Sequence, residues 1–146
     1  MYQNFYIYGF EKLEVCQKAR RLRVEIKLLS KSFPTDEKFD LTSQIRRSSS
    51  SVATNLAEGS GRASSMDQAH FTTISYSSAL ETIDHLNYAC GMKYIDSGIL
   101  YTFRLKLDEI LKNLNALYKF QKRRKLHLKN MWQPIQFDYE FFQFYN

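Results

Sequence analysis

The 146-residue chain is long enough for one domain with a sizeable core, and its five glycines and two prolines argue against an all-β architecture built on tight turns. Its two cysteines, Cys16 and Cys90, lack C-x-x-C spacing, which speaks against a disulfide framework or a cysteine metal site and for a reducing compartment. The net charge of +6 is unevenly spread, +4 over residues 10–31, +7 over 104–129 and −3 between them. A polyanion such as RNA, DNA or an anionic membrane surface suits that pattern, with a solvated helix face as the plainer reading.

In chain order, "YQNFYIY" at residues 2–8 is β-prone and lacks the basic start and long apolar run of a signal peptide. A first helix is predicted from about Phe10 to Lys31. Val15, Ala19, Leu22, Ile26, Leu29 and Phe33 give it one apolar stripe, and Pro34 stops it. A second helix starts at Asp40 as N-cap and runs to Glu58, with Leu41, Ile45, Ser48 or Ser49, Val52 and Leu56 inward and Gly59 ending it. A third opens on a capping box, Ser65 with Gln68, and continues through Phe71, Ile74, Leu80, Ile83 and Leu86 to about Lys93. The fourth follows Asp96 or Ser97 and buries Leu100, Phe103, Leu107, Ile110, Leu114 and Leu117, with Leu111 and Tyr118 widening the face.

Four such helices, ~28–42 Å long at 1.5 Å per residue, joined by short connections, predict an all-α, antiparallel, up-down-up-down four-helix bundle over residues 10–125. Flanking it are the β-prone residues 1–9 and an aromatic tail, 126–146. Within that tail "IQFDYEF" alternates apolar and polar with period two, a strand pattern. The two ends pair as a small sheet, within a chain or between subunits, or the tail is unstructured. Seven aromatics among residues 132–145 favour burial against a partner. No run approaches the ~20 apolar residues of a membrane span, so a soluble cytoplasmic protein is expected.

The stretch "RRSSSSVATNLAEGSGR", residues 46–62, has three readings. A serine nucleophile needs a base in reach, from His70, His85 or His127, and four consecutive helical serines point in four directions. A phosphate loop of the Walker type would follow a strand and carry a Lys, and Gly59-Ser60-Gly61 does neither. Packing is the economical reading: small side chains let helices approach closely, and serine hydroxyls can return a hydrogen bond to the carbonyl four residues back. Arg62 is placed to pair with Glu58 or to cap the last carbonyls. A bundle metalloenzyme would need two E-x-x-H motifs and two further carboxylates. Here Asp67 with His70, and Glu81 with His85, do not assemble that set. No catalytic residue, metal ligand or cofactor is expected.

"FPTDEKFDLTSQIRRSSSSVATNLAEGSGR" resembles the signature of the four-helix-bundle proteins encoded within intervening sequences of bacterial 23S ribosomal RNA genes. Phe33, Pro34, Glu37, Phe39, Leu41, Gln44, Arg46, Arg47, Ser51, Asn55, Ala57, Glu58, Gly59 and Arg62 match its pattern. "FEKLEVCQKAR" and "FTTISYSSALET", with Glu81 in the acidic position, resemble flanking blocks, while Asp40, Ser48 and Ser77 depart from it. The resemblance implies a homopentamer and a structural role for Arg46, Arg47, Asn55, Glu58, Gly59 and Arg62. It also extends to the accessory variability determinant of diversity-generating retroelements, a basic pentamer that binds nucleic acid and a reverse transcriptase.

Arg20, Arg23, Lys27 and Lys31 recur on one side of the first helix. Lys112, Lys119 and Arg123 do so on the fourth, which ends in "KRRK", Lys122 to Lys125 with Arg123 and Arg124. Such rows track a phosphate backbone with little sequence preference. The leading expectation is a non-catalytic, oligomeric RNA- or DNA-binding accessory protein. The alternative is a scaffold that docks a nucleic-acid enzyme, such as a reverse transcriptase, without touching nucleic acid itself.

Overall fold

A computed structural model describes residues 5–124. The readings placed on residues 1–4, on Lys125 and on the aromatic tail lie outside the described residues. Among the described residues there are five α-helices and no strand: α1 Gly9–Lys12, α2 Glu14–Leu29, α3 Leu41–Ser60, α4 Ser65–Gly91 and α5 Ser97–Arg123. Short 3₁₀ turns at Ser30–Ser32 and Thr35–Phe39 connect α2 to α3. Residues 5–8 form no strand.

The four long helices pack in a ring. α3 lies on α4, α4 on α5, and α2 on both α3 and α5, with no close backbone approach across either diagonal. Leu22, Ile26, Ile45, Val52, Leu86, Leu107, Ile110 and Leu114 are almost fully buried between them. The apolar stripes expected on α2 and α5 supply most of this core. Cross-helix pairs run in opposite order along their helices. Ser48 meets Thr82, Ser51 meets Ser78, and Ser75 reaches the carbonyl of Val52. Lys18 meets Glu109 and Lys106 meets Glu25. Ser65 reaches Arg124 and Thr72 reaches Gln121.

Several boundaries differ from the sequence expectation for physical reasons. The first helix breaks at Leu13, whose extended backbone (φ −67, ψ 130) separates α1 from α2 while its side chain stays buried. Asp40 stands at the N-cap position of α3 without a side-chain hydrogen bond; the Leu41 N–H is instead taken by the buried Glu37 carboxylate, 3.2 Å away. α4 is capped one residue earlier than expected, by Ser64, which accepts from the Asp67 N–H at 3.0 Å. This frees Ser65 and Gln68 to bind the carbonyls of Arg124 and Arg62. Asp96 caps α5 as expected, accepting from Ile99 N–H at 2.8 Å.

Gly59 does not end its helix. It lies inside α3, and Gly61 occupies the C-cap with ordinary right-handed angles. What Gly59 provides is room, because a Cβ there would sit 2.7 Å from Phe71 Cβ on α4. The expected stripe of α4 is also corrected. Its buried positions are Gln68, Ala69, Thr72, Ser75, Ser78, Ala79, Thr82, Leu86 and Ala89, while Leu80 is exposed. α4 faces the core with small and hydroxyl-bearing residues, which allows α3 to lie close against it.

Candidate nucleic-acid interface

Of the four consecutive serines, Ser48, Ser49 and Ser51 are engaged in packing. Ser48 and Ser49 are fully buried and donate to the carbonyls of Ile45 and Arg46, three residues back, each at 3.2 Å. Ser48 also shares a 2.8 Å bond with Thr82. Ser51 accepts from Asn55 at 2.8 Å and from Ser78 at 2.9 Å. The Ser75 hydroxyl crosses to the Val52 carbonyl at 2.6 Å. Each group has a partner, so burial strands no donor or acceptor in this seam. Among the described residues, the imidazoles lie elsewhere: His70 against Phe71 and His85 against Glu81.

Of the other signature residues, Arg46 and Arg47 tie helices together, while Asn55 and Glu58 bond locally. Arg46 Nε donates to Ser30 Oγ at 2.6 Å, tying α3 to the end of α2. Arg47 bridges Gln44 and Glu81 at 2.9 and 3.0 Å, tying α3 to α4. Asn55 donates to the Ser51 carbonyl at 2.8 Å. Glu58 holds Arg62 at 2.7 Å, and the Arg62 guanidinium lies 4.4 Å from the centre of the Phe71 ring, the residue that fills the space beside Gly59. A further lock was not legible in the spacing: Tyr94 donates its hydroxyl to Glu37 at 2.9 Å. That bond, with burial, pushes the Tyr94 phenol from 10.0 up to about 12. Burial likewise pushes the Cys16 thiol up to about 12, despite the opposing pull of Arg20, so it is a packing residue rather than a nucleophile.

The expected cationic residues divide between different sides of the molecule. α2 turns by about 100° per residue. Lys18 and Glu25 mark its α5 side: Lys18 binds Glu14 at 2.7 Å and Glu109 at 3.2 Å, and its pKa is raised by the Glu14 bond first. Arg20, Arg23 and Lys27 fall on the opposite flank, toward α3 and solvent, and Lys31 in the following turn continues them. Arg20 is committed to α1, reaching the Glu11 carbonyl at 3.3 Å and its carboxylate at 3.8 Å. Arg23, Lys27 and Lys31 are exposed and form no ion pair among the described residues. Beside them the neighbouring flank of α3, Thr42, Arg46, Ser50, Ala53 and Ala57, contains no carboxylate.

On α5, Lys112, Lys119 and Arg123 lie opposite the buried stripe and face solvent. Lys122 reaches Met66 Sδ on α4 at 3.6 Å. Arg124 is half-buried, its carbonyl held by Ser65 and its guanidinium 5.9 Å from the Phe120 ring. The fold therefore brings Arg23, Lys27, Lys31 and Arg46 onto one edge and leaves the α5 row on another side. Lys125 lies outside the described residues. No group of three or more metal-binding side chains, and no helix long and apolar enough to cross a membrane, occurs among the described residues.

The model of the 23S rRNA-intervening sequence protein family matches residues 11–116, which contain the whole signature and every lock between α2, α3 and α4. The chain belongs to this family. As a 23S rRNA-intervening sequence protein it is also similar in fold to a crystal structure of a protein of unknown function from the S23 ribosomal protein family of Bacteroides thetaiotaomicron VPI-5482. The two share 27% identity with a TM-score of 0.67, over 72% of this chain and 95% of that one. No curated protein matches. Within this member of the 23S rRNA-intervening sequence proteins, Arg20, Arg23, Lys27, Lys31 and Lys112 lie inside the matched span, whereas Lys119 to Arg124 lie beyond it.

Proposed function

We propose that this 23S rRNA-intervening sequence protein is a non-catalytic, cytoplasmic accessory protein that binds RNA or DNA through its basic helix edge. In this reading the helices form an antiparallel up-down-up-down bundle, which the opposite order of the cross-helix pairs supports. The bundle is assembled as a homopentamer, an expectation carried by the family resemblance. The observation that carries the functional reading is the α2 edge: Arg23, Lys27 and Lys31 stand exposed, with no ion pair among the described residues, beside a carboxylate-free flank of α3.

The chemistry follows from charge geometry. Cations four residues apart on a helix rise by about 6 Å per step, so the row presents a line of point charges to a phosphate backbone. Neutralising phosphates releases condensed counterions, and affinity then falls steeply as salt rises. Base-reading side chains are not required, so shape and charge govern recognition. The bonded serine seam argues for a packing role there instead of chemistry.

Fluorescence anisotropy of labelled structured RNA and duplex DNA, titrated with the full chain from low to moderate salt, tests the proposal. Binding at low salt that weakens steadily with added salt supports it. Absence of binding at low salt overturns it and leaves the scaffold reading, which capture of a reverse transcriptase encoded beside the gene would then support. Light scattering of the purified chain tests the pentamer, and a monomer would contradict it.

A further inference from the structure

Residues 5–8 hold their apolar side chains in solvent. Phe5 is 76% exposed, and Tyr6, Ile7 and Tyr8 lie between 49 and 60%. The chain joins the core only after them, where Phe10 packs against it and Leu13 is buried within it. The Tyr6 and Tyr8 rings meet edge to face with centres 5.0 Å apart, so neither stacks its face on the other. Exposed aromatic side chains gathered in one place mark a surface that takes a partner.

One carboxylate sets where these rings stand. Glu11 accepts from the Tyr8 N–H at 2.8 Å and lies 3.8 Å from the Arg20 guanidinium, which also reaches the Glu11 carbonyl at 3.3 Å. α1 packs on both α2 and α3, the two helices that bound the basic edge. The aromatic segment therefore sits at the head of the row that continues down α2 through Arg23, Lys27 and Lys31. From Arg20 to Lys27 that row covers about 10 Å of helix axis. Lys12 is exposed at the α1 end and forms no ion pair among the described residues. Glu11 and Glu14, the acids nearest in sequence, are held by Arg20 and Lys18.

Rings followed by a line of cations suit one ligand chemistry. Aromatic faces stack on nucleic-acid bases, and those bases are free only where the strand is unpaired. Such stacking tolerates any base, because every base has a flat face. The cations beyond the rings then follow the phosphates of the same strand. A duplex offers its phosphates to the cations but keeps its bases covered, and the rings are left unused.

We propose, resting on the nucleic-acid reading above, that the ligand of the α2 edge is an unpaired stretch of nucleic acid. Its bases stack on Tyr6 and Tyr8 while its phosphates run past Arg23, Lys27 and Lys31. The rings supply preference for single strands and loops, and the cations supply salt-dependent affinity.

Fluorescence anisotropy of labelled oligouridylate, alone and paired with oligoadenylate, separates the two contributions in the full chain. Tyr6→Ala with Tyr8→Ala is expected to weaken binding of the free strand about ten-fold or more. Duplex binding and the salt slope are expected to stay as in the wild type, because no charge is removed. Lys27→Ala with Lys31→Ala is expected to weaken both forms and to lower the slope. All four positions are exposed, so both variants should match the wild type in circular dichroism and light scattering. A tyrosine double variant that binds the free strand as tightly as the wild type overturns the proposal while nucleic-acid binding itself stands. Equal loss on free strand and duplex also overturns it. So does a change of oligomeric size in the tyrosine variant, which places the rings at a contact between copies. Absence of binding of either form at low salt removes the nucleic-acid reading and this one with it.

Discussion

The α3–α4 seam and the outer edge of α2 use polar residues in opposite ways. In the seam, Ser48, Ser51, Ser75, Ser78 and Thr82 are bonded to each other or to a carbonyl, and the helices lie close because those side chains are small. On the edge, Arg23, Lys27 and Lys31 carry full charges with no partner among the described residues. A hydroxyl buried and bonded inside a seam is closed to a ligand by the side chains packed around it. An unpaired cation in solvent contributes little to folding and keeps its charge for something else. Within the family signature, Arg46, Arg47, Ser51, Asn55, Glu58 and Arg62 are all bonded within the bundle, and Arg23, Lys27 and Lys31 are not part of it, which explains how a specific sequence pattern reveals a fold while saying little about activity.

The contrast makes graded predictions. Ser75→Leu forces a large side chain into the seam and deletes the bond to the Val52 carbonyl, and is expected to destabilise the fold by about 2–3 kcal/mol. Urea denaturation checks this, and a neutral outcome would mean the seam is loosely packed. Gly59→Ala is expected to cost about 1 kcal/mol or more, because the 2.7 Å approach to Phe71 Cβ outweighs the ~1 kcal/mol gain of alanine over glycine in a helix. A rise in melting temperature would show that α4 moves aside.

The Tyr94–Glu37 lock gives a pH test. The Tyr94 pKa is raised on folding, from 10.0 to about 12, so the native state favours the protonated phenol. Its contribution is therefore complete below about pH 10 and lost as pH rises through about 12. Stability measured across that window should fall more steeply for the wild type than for Tyr94→Phe. The smallest effect is expected at Arg47→Ala. Its pair with Glu81 is solvent-exposed, so the loss should stay within about 1 kcal/mol, measured by the same denaturation. A larger loss would place Arg47 with the seam instead of the surface.

Much of the fold was legible because α2 and α5 follow ordinary rules. Their buried residues are Val15, Cys16, Ala19, Leu22 and Ile26, then Phe103, Leu107, Ile110, Leu114 and Leu117, and all but Cys16 lie on the expected stripes. α4 misled the same reasoning. Apart from Gln68 and Leu86 its inward positions are alanine, serine and threonine, so a hydrophobicity pattern selects Leu80, which faces outward. Gly59 misled it as well, because a glycine near a helix end suggests a stop, and only the position of Phe71 across the seam reveals a close approach. The packing of Ser48 and Ser49, the Glu58–Arg62 pair and the Asp96 cap were readable because each depends on residues a turn or less apart.

The candidate edge was legible only in part. Spacing put Arg20, Arg23, Lys27 and Lys31 on one side of a helix, but it did not show that Glu11 holds Arg20. Nor did it show that the α5 row of Lys112 and Lys119 faces another direction. Both facts depend on how helices are arranged around the ring, which no periodicity within one helix encodes. Arg46 joins the edge for the same reason, through Ser30 on the end of α2.

The most direct measurement is the salt dependence of binding to structured RNA, compared between the wild type and the triple variant Arg23→Ala, Lys27→Ala, Lys31→Ala. If these three cations contact phosphates, the variant keeps its stability, binds more weakly at low salt and loses about two to three from the slope of log affinity against log salt. An unchanged slope and affinity in a folded triple variant would remove the α2 edge from any role in nucleic-acid binding.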